Sequence, residues 1–60
     1  TERQKEVLNS MVKGLANKEI ARELDMSPST VKAHIAAILR ELEVNNRTQA
    51  VTKARENGLI

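Results

Sequence analysis

Residues 17–40, N-K-E-I-A-R-E-L-D-M-S-P-S-T-V-K-A-H-I-A-A-I-L-R, decide the fold. Ile20, Ala21 and Leu24 recur at helical spacing in the first half, and Val31, Ile35 and Ile38 do so in the second, with Met26 between them. Ser27-Pro28 marks a new helix start: the serine caps, and proline fills the first position, where its missing N–H costs nothing. The stretch therefore predicts a short amphipathic helix, a break of about three to four residues and a longer helix. The apolar set ties the two into one rigid elbow. The second helix is left showing solvent Ser29, Lys32, Ala33 and Ala36, which are small or basic and include no acid. A helix with a thin, basic outer face can enter the major groove of duplex DNA, and the elbow reads as a helix-turn-helix.

The flanks are helical too. Thr1 with Gln4 has capping-box spacing, followed by Val7, Leu8, Met11 and Val12 and a left-handed stop at Gly14. Asn17 is the expected N-cap of the second helix, which runs to Leu24. In the third helix Val31, Ile35, Ile38 and Leu42 form one stripe beside Leu39, with an end expected near Glu43. Asn46 with Gln49 repeats the capping-box spacing before Ala50, Val51 and Ala54, and Gly58 stops this fourth helix with Leu59 folding back on Ala54. No segment alternates like a strand, so no wing is expected. The fold class predicted is all-α: a four-helix bundle containing a helix-turn-helix, one domain over residues 1–60, with connections of about two to four residues.

Size and composition narrow the function. A domain of 60 residues buries only about 60% of its unfolded surface, against a conformational entropy cost of roughly 90 kcal/mol. That leaves no room for a substrate cleft. No cysteine is present, so disulfides and thiolate zinc sites are excluded, and the usage fits a reducing, cytoplasmic setting. No apolar run approaches the roughly 20 residues of a membrane span, and no signal-peptide pattern occurs. With no aromatic residue, stacking on single-stranded nucleic acid is disfavoured. Net charge is only +2, from ten Lys/Arg against eight Asp/Glu. Its distribution says more, because Met26 to Arg40 holds Lys32, His34 and Arg40 without a carboxylate. Beginning at Thr1, the chain is expected to be a module of a longer protein.

Among exposed residues, Lys32 carries the chemistry best suited to a base edge. From the N-terminal part of the third helix its ammonium can donate to guanine O6 and N7, worth about 1–3 kcal/mol of discrimination; the alternative is a solvated lysine. Ala33 and Ala36 either fill space or let the backbone approach closely and touch thymine methyls. Ser29 and Thr30, at the helix start, suit a phosphate or support the cap. Lys18 and Arg47 each open a helix and can flank the groove on phosphates. His34 borders the core stripe and is expected to be a partly buried, hydrogen-bonded structural residue; no second ligand stands near it for a metal. Neither a nucleophile–histidine–carboxylate set nor a carboxylate pair is legible, so no enzyme and no cofactor is expected. On the fourth helix, Val51, Thr52 and Arg55 form a second edge that suits either a mixed solvent face or a two-fold dimer contact.

These residues resemble a known family. E-V-L at 6–8, G-L-A-N-K-E-I-A at 14–21, S-P-S-T-V-K-A-H at 27–34, L-R-E-L-E-V at 39–44, N-R-T-Q-A-V at 46–51 and G-L-I at 58–60 are similar to the LuxR/NarL-type (GerE-like) helix-turn-helix. The resemblance covers essentially the whole chain. It implies the C-terminal effector domain of a bacterial transcription factor, such as a response regulator, that binds double-stranded DNA, with the third helix (about 28–43) as reader and the fourth as homodimer contact. An N-terminal receiver or ligand-sensing domain would complete the protein. Carried over by position, base contacts fall on Ser29, Lys32, Ala33 and Ala36, and phosphate contacts on Lys18, Thr30, Arg47 and Thr48. Many members carry a longer polar residue at Ala33 or Ala36, so hydrogen-bonded readout here rests mostly on Lys32, and specificity leans on methyl contacts and DNA shape. The rival reading is a protein-interaction module that contacts polymerase or a regulatory domain; an RNA-binding helical module is a further one, against which the lack of aromatics counts.

Overall fold

The computed structural model describes residues 2–59. Its elements are α1 (Glu2–Val12), α2 (Asn17–Glu23), α3 (Pro28–Glu41) and α4 (Arg47–Glu56), and no strand occurs among the described residues. The expected all-α architecture with a helix-turn-helix at α2–α3 is the one observed. The cap expected from Thr1 lies outside the described residues.

The core forms where the four apolar stripes meet. Val7, Leu8, Met11, Ile20, Ala21, Val31, Ile35, Ile38, Ala50 and Ala54 are buried, and Leu24, Met26, Leu39 and Val51 pack against them half-buried. Complete burial of Val7, Ile20 and Val31 stabilises the fold by about 1.5–3 kcal/mol each. α3 is the central helix, packed against both α1 and α2, while Ala50 and Ala54 let α4 approach closely. Ser10, not Val12, takes the fourth buried position of α1. Its hydroxyl donates to Glu23 Oε1 at 3.5 Å, and Lys13 Nζ lies 4.0 Å from the same oxygen.

Two of the caps are as expected. Ser27 Oγ accepts from Thr30 N–H at 3.1 Å with Pro28 following, and Asn46 Oδ1 accepts from Gln49 N–H at 2.9 Å. Gln49 Oε1 reaches past the cap to the Asn45 N–H at 2.9 Å. The start of α2 corrects the expectation: Ala16 is the N-cap and Asn17 the first helical residue. Ala16 has no side-chain acceptor, so only Glu19 contributes, its Oε1 accepting from Ala16 N–H at 2.8 Å. The Asn17 side chain is engaged elsewhere, by Arg47.

All four helices end alike. After each C-cap comes a left-handed residue, Gly14, Asp25, Glu43 or Gly58, and the next N–H turns back onto the helix. These closing bonds are Leu15 N–H to Ser10 O at 3.2 Å, Met26 to Ala21 at 2.9 Å, Val44 to Leu39 at 3.0 Å and Leu59 to Ala54 at 2.8 Å. The left-handed turn at Glu43 is why α3 ends at Glu41 with Leu42 as its cap, two residues before the expected end. It also makes the α3–α4 connection, Leu42 to Asn46, longer than expected.

Candidate nucleic-acid interface

On α3 the core and the outer face are set by the helical period. Val31, Ile35 and Ile38 turn inward, and Ser29, Lys32, Ala33 and Ala36 fall within an arc of about 100° on the opposite side. All four are exposed. The serine cap and Pro28 fix the start of α3, so the N-terminal turn carrying Ser29 and Lys32 projects from an ordered end. Ala33 and Ala36 keep the middle of this face thin.

Arg40 lies on the same arc, about 16 Å along the axis from Ser29, and is exposed. It is not among the contact residues expected from the sequence. The signal was available in its spacing of four after Ala36, at the far end of the acid-free stretch.

The ion pairs of the described residues lie away from this face. Among the described residues the ion pairs are Arg3–Glu6 at 2.8 Å, Lys5–Glu2 at 3.9 Å and Lys13–Glu23 at 4.0 Å, all involving α1 or the turn after it. Lys18, Lys32 and Arg40 have no carboxylate within that range among the described residues. These cations are therefore not engaged in ion pairs with described residues, as is also true of Arg22, Lys53 and Arg55, and remain available to a polyanionic ligand.

The remaining site residues divide. Lys18 and Thr48 are exposed at the starts of α2 and α4. Thr30 is exposed, but its hydroxyl lies 2.9 Å from Ser27 Oγ, so it supports the cap while facing out. Arg47 is half-buried: Nη2 donates to the Leu15 carbonyl at 2.7 Å and Nη1 to Asn17 Oδ1 at 3.0 Å. Thr52 and Arg55 are exposed on α4, whereas Val51 is half-buried and packs against the core. An open groove of about 550 Å³ runs beside them, lined by Leu15, Glu19, Val51 and Thr52 among others. His34 is half-buried as expected, but no hydrogen bond from a described residue reaches it. No group of three or more His, Cys, Asp or Glu suited to a metal occurs among the described residues, and no helix there is long and apolar enough to cross a membrane.

Comparison with known proteins identifies the family of the chain. The family described as GerE, bacterial regulatory proteins of the luxR family, matches residues 1–54. The glycerol metabolism activator of Pseudomonas putida is 54% identical over 54 residues, 90% of this chain and 24% of that protein. The crystal structure of the response regulator ChrA, from a heme-sensing two-component system, superposes with a TM-score of 0.96 at 42% identity, covering 100% of this chain and 30% of that one. The transcription factor GerE superposes with a TM-score of 0.91 at 30% identity, covering 98% of this chain and 88% of its own. The chain spans about a quarter of the length of the curated relatives it matches.

Proposed function

The chain belongs to the luxR family of bacterial regulatory proteins, a DNA-binding family of transcriptional regulators, and from that premise we propose how its surface reads DNA. Helix α3 lies in the major groove, with Lys32 donating to guanine O6 and N7 and Ser29 beside it at the helix start. Ala33 and Ala36 approach thymine methyls. Lys18, Thr30 and Thr48 meet phosphates on the flanks, joined by Arg40 at the far end of α3. Two such domains bind a two-fold site through Thr52, Arg55 and the exposed part of Val51 on α4. In the intact protein an N-terminal receiver or ligand-sensing domain controls access to the site, in the cytoplasm.

The single observation that supports this reading is the outer face of α3: exposed, thin, and bearing cations with no local acid partner. The test is a titration onto duplexes selected from a random pool and onto unselected duplexes, at two salt concentrations. Wild type is expected to prefer the selected duplex and to weaken steeply with salt. Lys32→Ala is expected to narrow that preference by about 1–3 kcal/mol, roughly 5- to 150-fold, with unchanged helical content by circular dichroism. A chain that binds no duplex at low salt would favour the protein-interaction module instead.

A further inference from the structure

Arg47 occupies the first position of α4, where a cation meets the positive end of the helix dipole. Its side chain does not run out to solvent. The guanidinium turns back and holds two acceptors that arrive together from another part of the chain. One is the Leu15 carbonyl in the α1–α2 connection, at 2.7 Å. The other is Asn17 Oδ1, at the first residue of α2, at 3.0 Å. These partners are 32 and 30 residues distant in sequence. A planar fork meets both at once with fixed geometry, which the point charge of a lysine does not reproduce.

Among the described residues, α2 and α4 do not otherwise pack on each other; each is packed on α1 and α3. The fork is therefore the direct bridge between their N-terminal ends. Lys18 follows Asn17, and Thr48 follows Arg47, so the bridge sets the spacing between two residues on the outer surface. We propose that Arg47 is a positioning residue for the DNA interface: its guanidinium locks the starts of α2 and α4 together, so that Lys18 and Thr48 meet phosphates at a fixed separation. This rests on the DNA-binding reading above. It assigns Asn17 a part in the interface although its own side chain faces Arg47.

The test measures duplex affinity of the chain against salt for wild type, Asn17→Ala, Arg47→Lys, Lys18→Ala and the double variant Asn17→Ala/Lys18→Ala, with thermal melting of each. Asn17→Ala removes no charge. If its partner positions Lys18, affinity falls about tenfold, equivalent to ~1.4 kcal/mol. The slope of log K against log[salt] also falls, by about 0.9, as one phosphate contact is lost. Lys18→Ala then adds little in that background. Arg47→Lys keeps the charge and is expected to lose as much as Asn17→Ala. A lowered melting temperature with wild-type affinity and slope in the folded protein would overturn the proposal by reducing the bridge to a structural tie. Full binding by Arg47→Lys would overturn it by making Arg47 a simple point charge. Failure of the wild type to bind any duplex would instead defeat the DNA reading beneath it.

Discussion

Replacing Glu43 by glycine should make this protein more stable, although it removes a side chain and adds chain entropy. Glu43 sits at φ 57°, in the left-handed region, where it lets the Val44 N–H close onto Leu39 O at 3.0 Å. An L-residue with a Cβ costs about 1–2 kcal/mol there, which glycine avoids. The greater freedom of glycine in the unfolded chain takes back about 0.5–1 kcal/mol. The net gain is then about 0.5–1 kcal/mol. The carboxylate also stands near the negative end of the α3 dipole, so its loss helps independently of the backbone. Glu43→Ala separates the two effects, because alanine loses the charge but keeps the Cβ. The assay is urea and thermal unfolding of the three proteins. For a domain of this size 1 kcal/mol moves Tm by about 4–8 °C, so Glu43→Gly should melt about 2–8 °C above Glu43→Ala. Asp25→Gly, at φ 54°, should gain less, since aspartate tolerates the left-handed region better than glutamate. A Glu43→Gly protein no more stable than Glu43→Ala would refute the strain argument.

Two further outcomes follow from the proposed interface. Thr52→Arg places bulk and like charge on the exposed edge of α4, and should abolish cooperative binding to a two-fold site while leaving half-site affinity intact; cooperativity equal to wild type, read by titration of one- and two-site duplexes, would remove α4 from the dimer contact. Replacing thymine by deoxyuridine in a selected duplex deletes the methyl groups opposed to Ala33 and Ala36, and each buried methyl is expected to be worth ~0.8 kcal/mol, about fourfold in affinity. Unchanged binding to the deoxyuridine duplex would place neither alanine against a base.

What the chain announces in advance is local. Ser27-Pro28, Asn46 with Gln49, Gly14 and Gly58 act within a few residues of themselves, so their roles were readable by spacing. The stripe of Val31, Ile35 and Ile38 defined the outward face of α3 for the same reason: once one side of a helix is buried, its period places the other. The candidate reading face is legible to that extent, and the same period places Arg40 on its arc.

Other features had no local signature. Asn17 resembles a cap by type, yet its amide oxygen accepts from Arg47, 30 residues on. Ser10 is polar, and its burial depends on Glu23 arriving from α2 to receive its hydroxyl. Asp25 and Glu43 take a conformation that neither residue type favours, because the apolar residues after them must fold back against the helices they end. Four amphipathic helices, the helix-turn-helix and the exposed face of α3 are specified along the chain, since short-range hydrogen bonds and a 3.6-residue period suffice for those. How the helix starts are bridged, and where a non-glycine residue accepts left-handed strain, emerge only when the helices pack. Those outcomes depend on which groups meet when separate faces pack, and no spacing along the chain encodes that meeting.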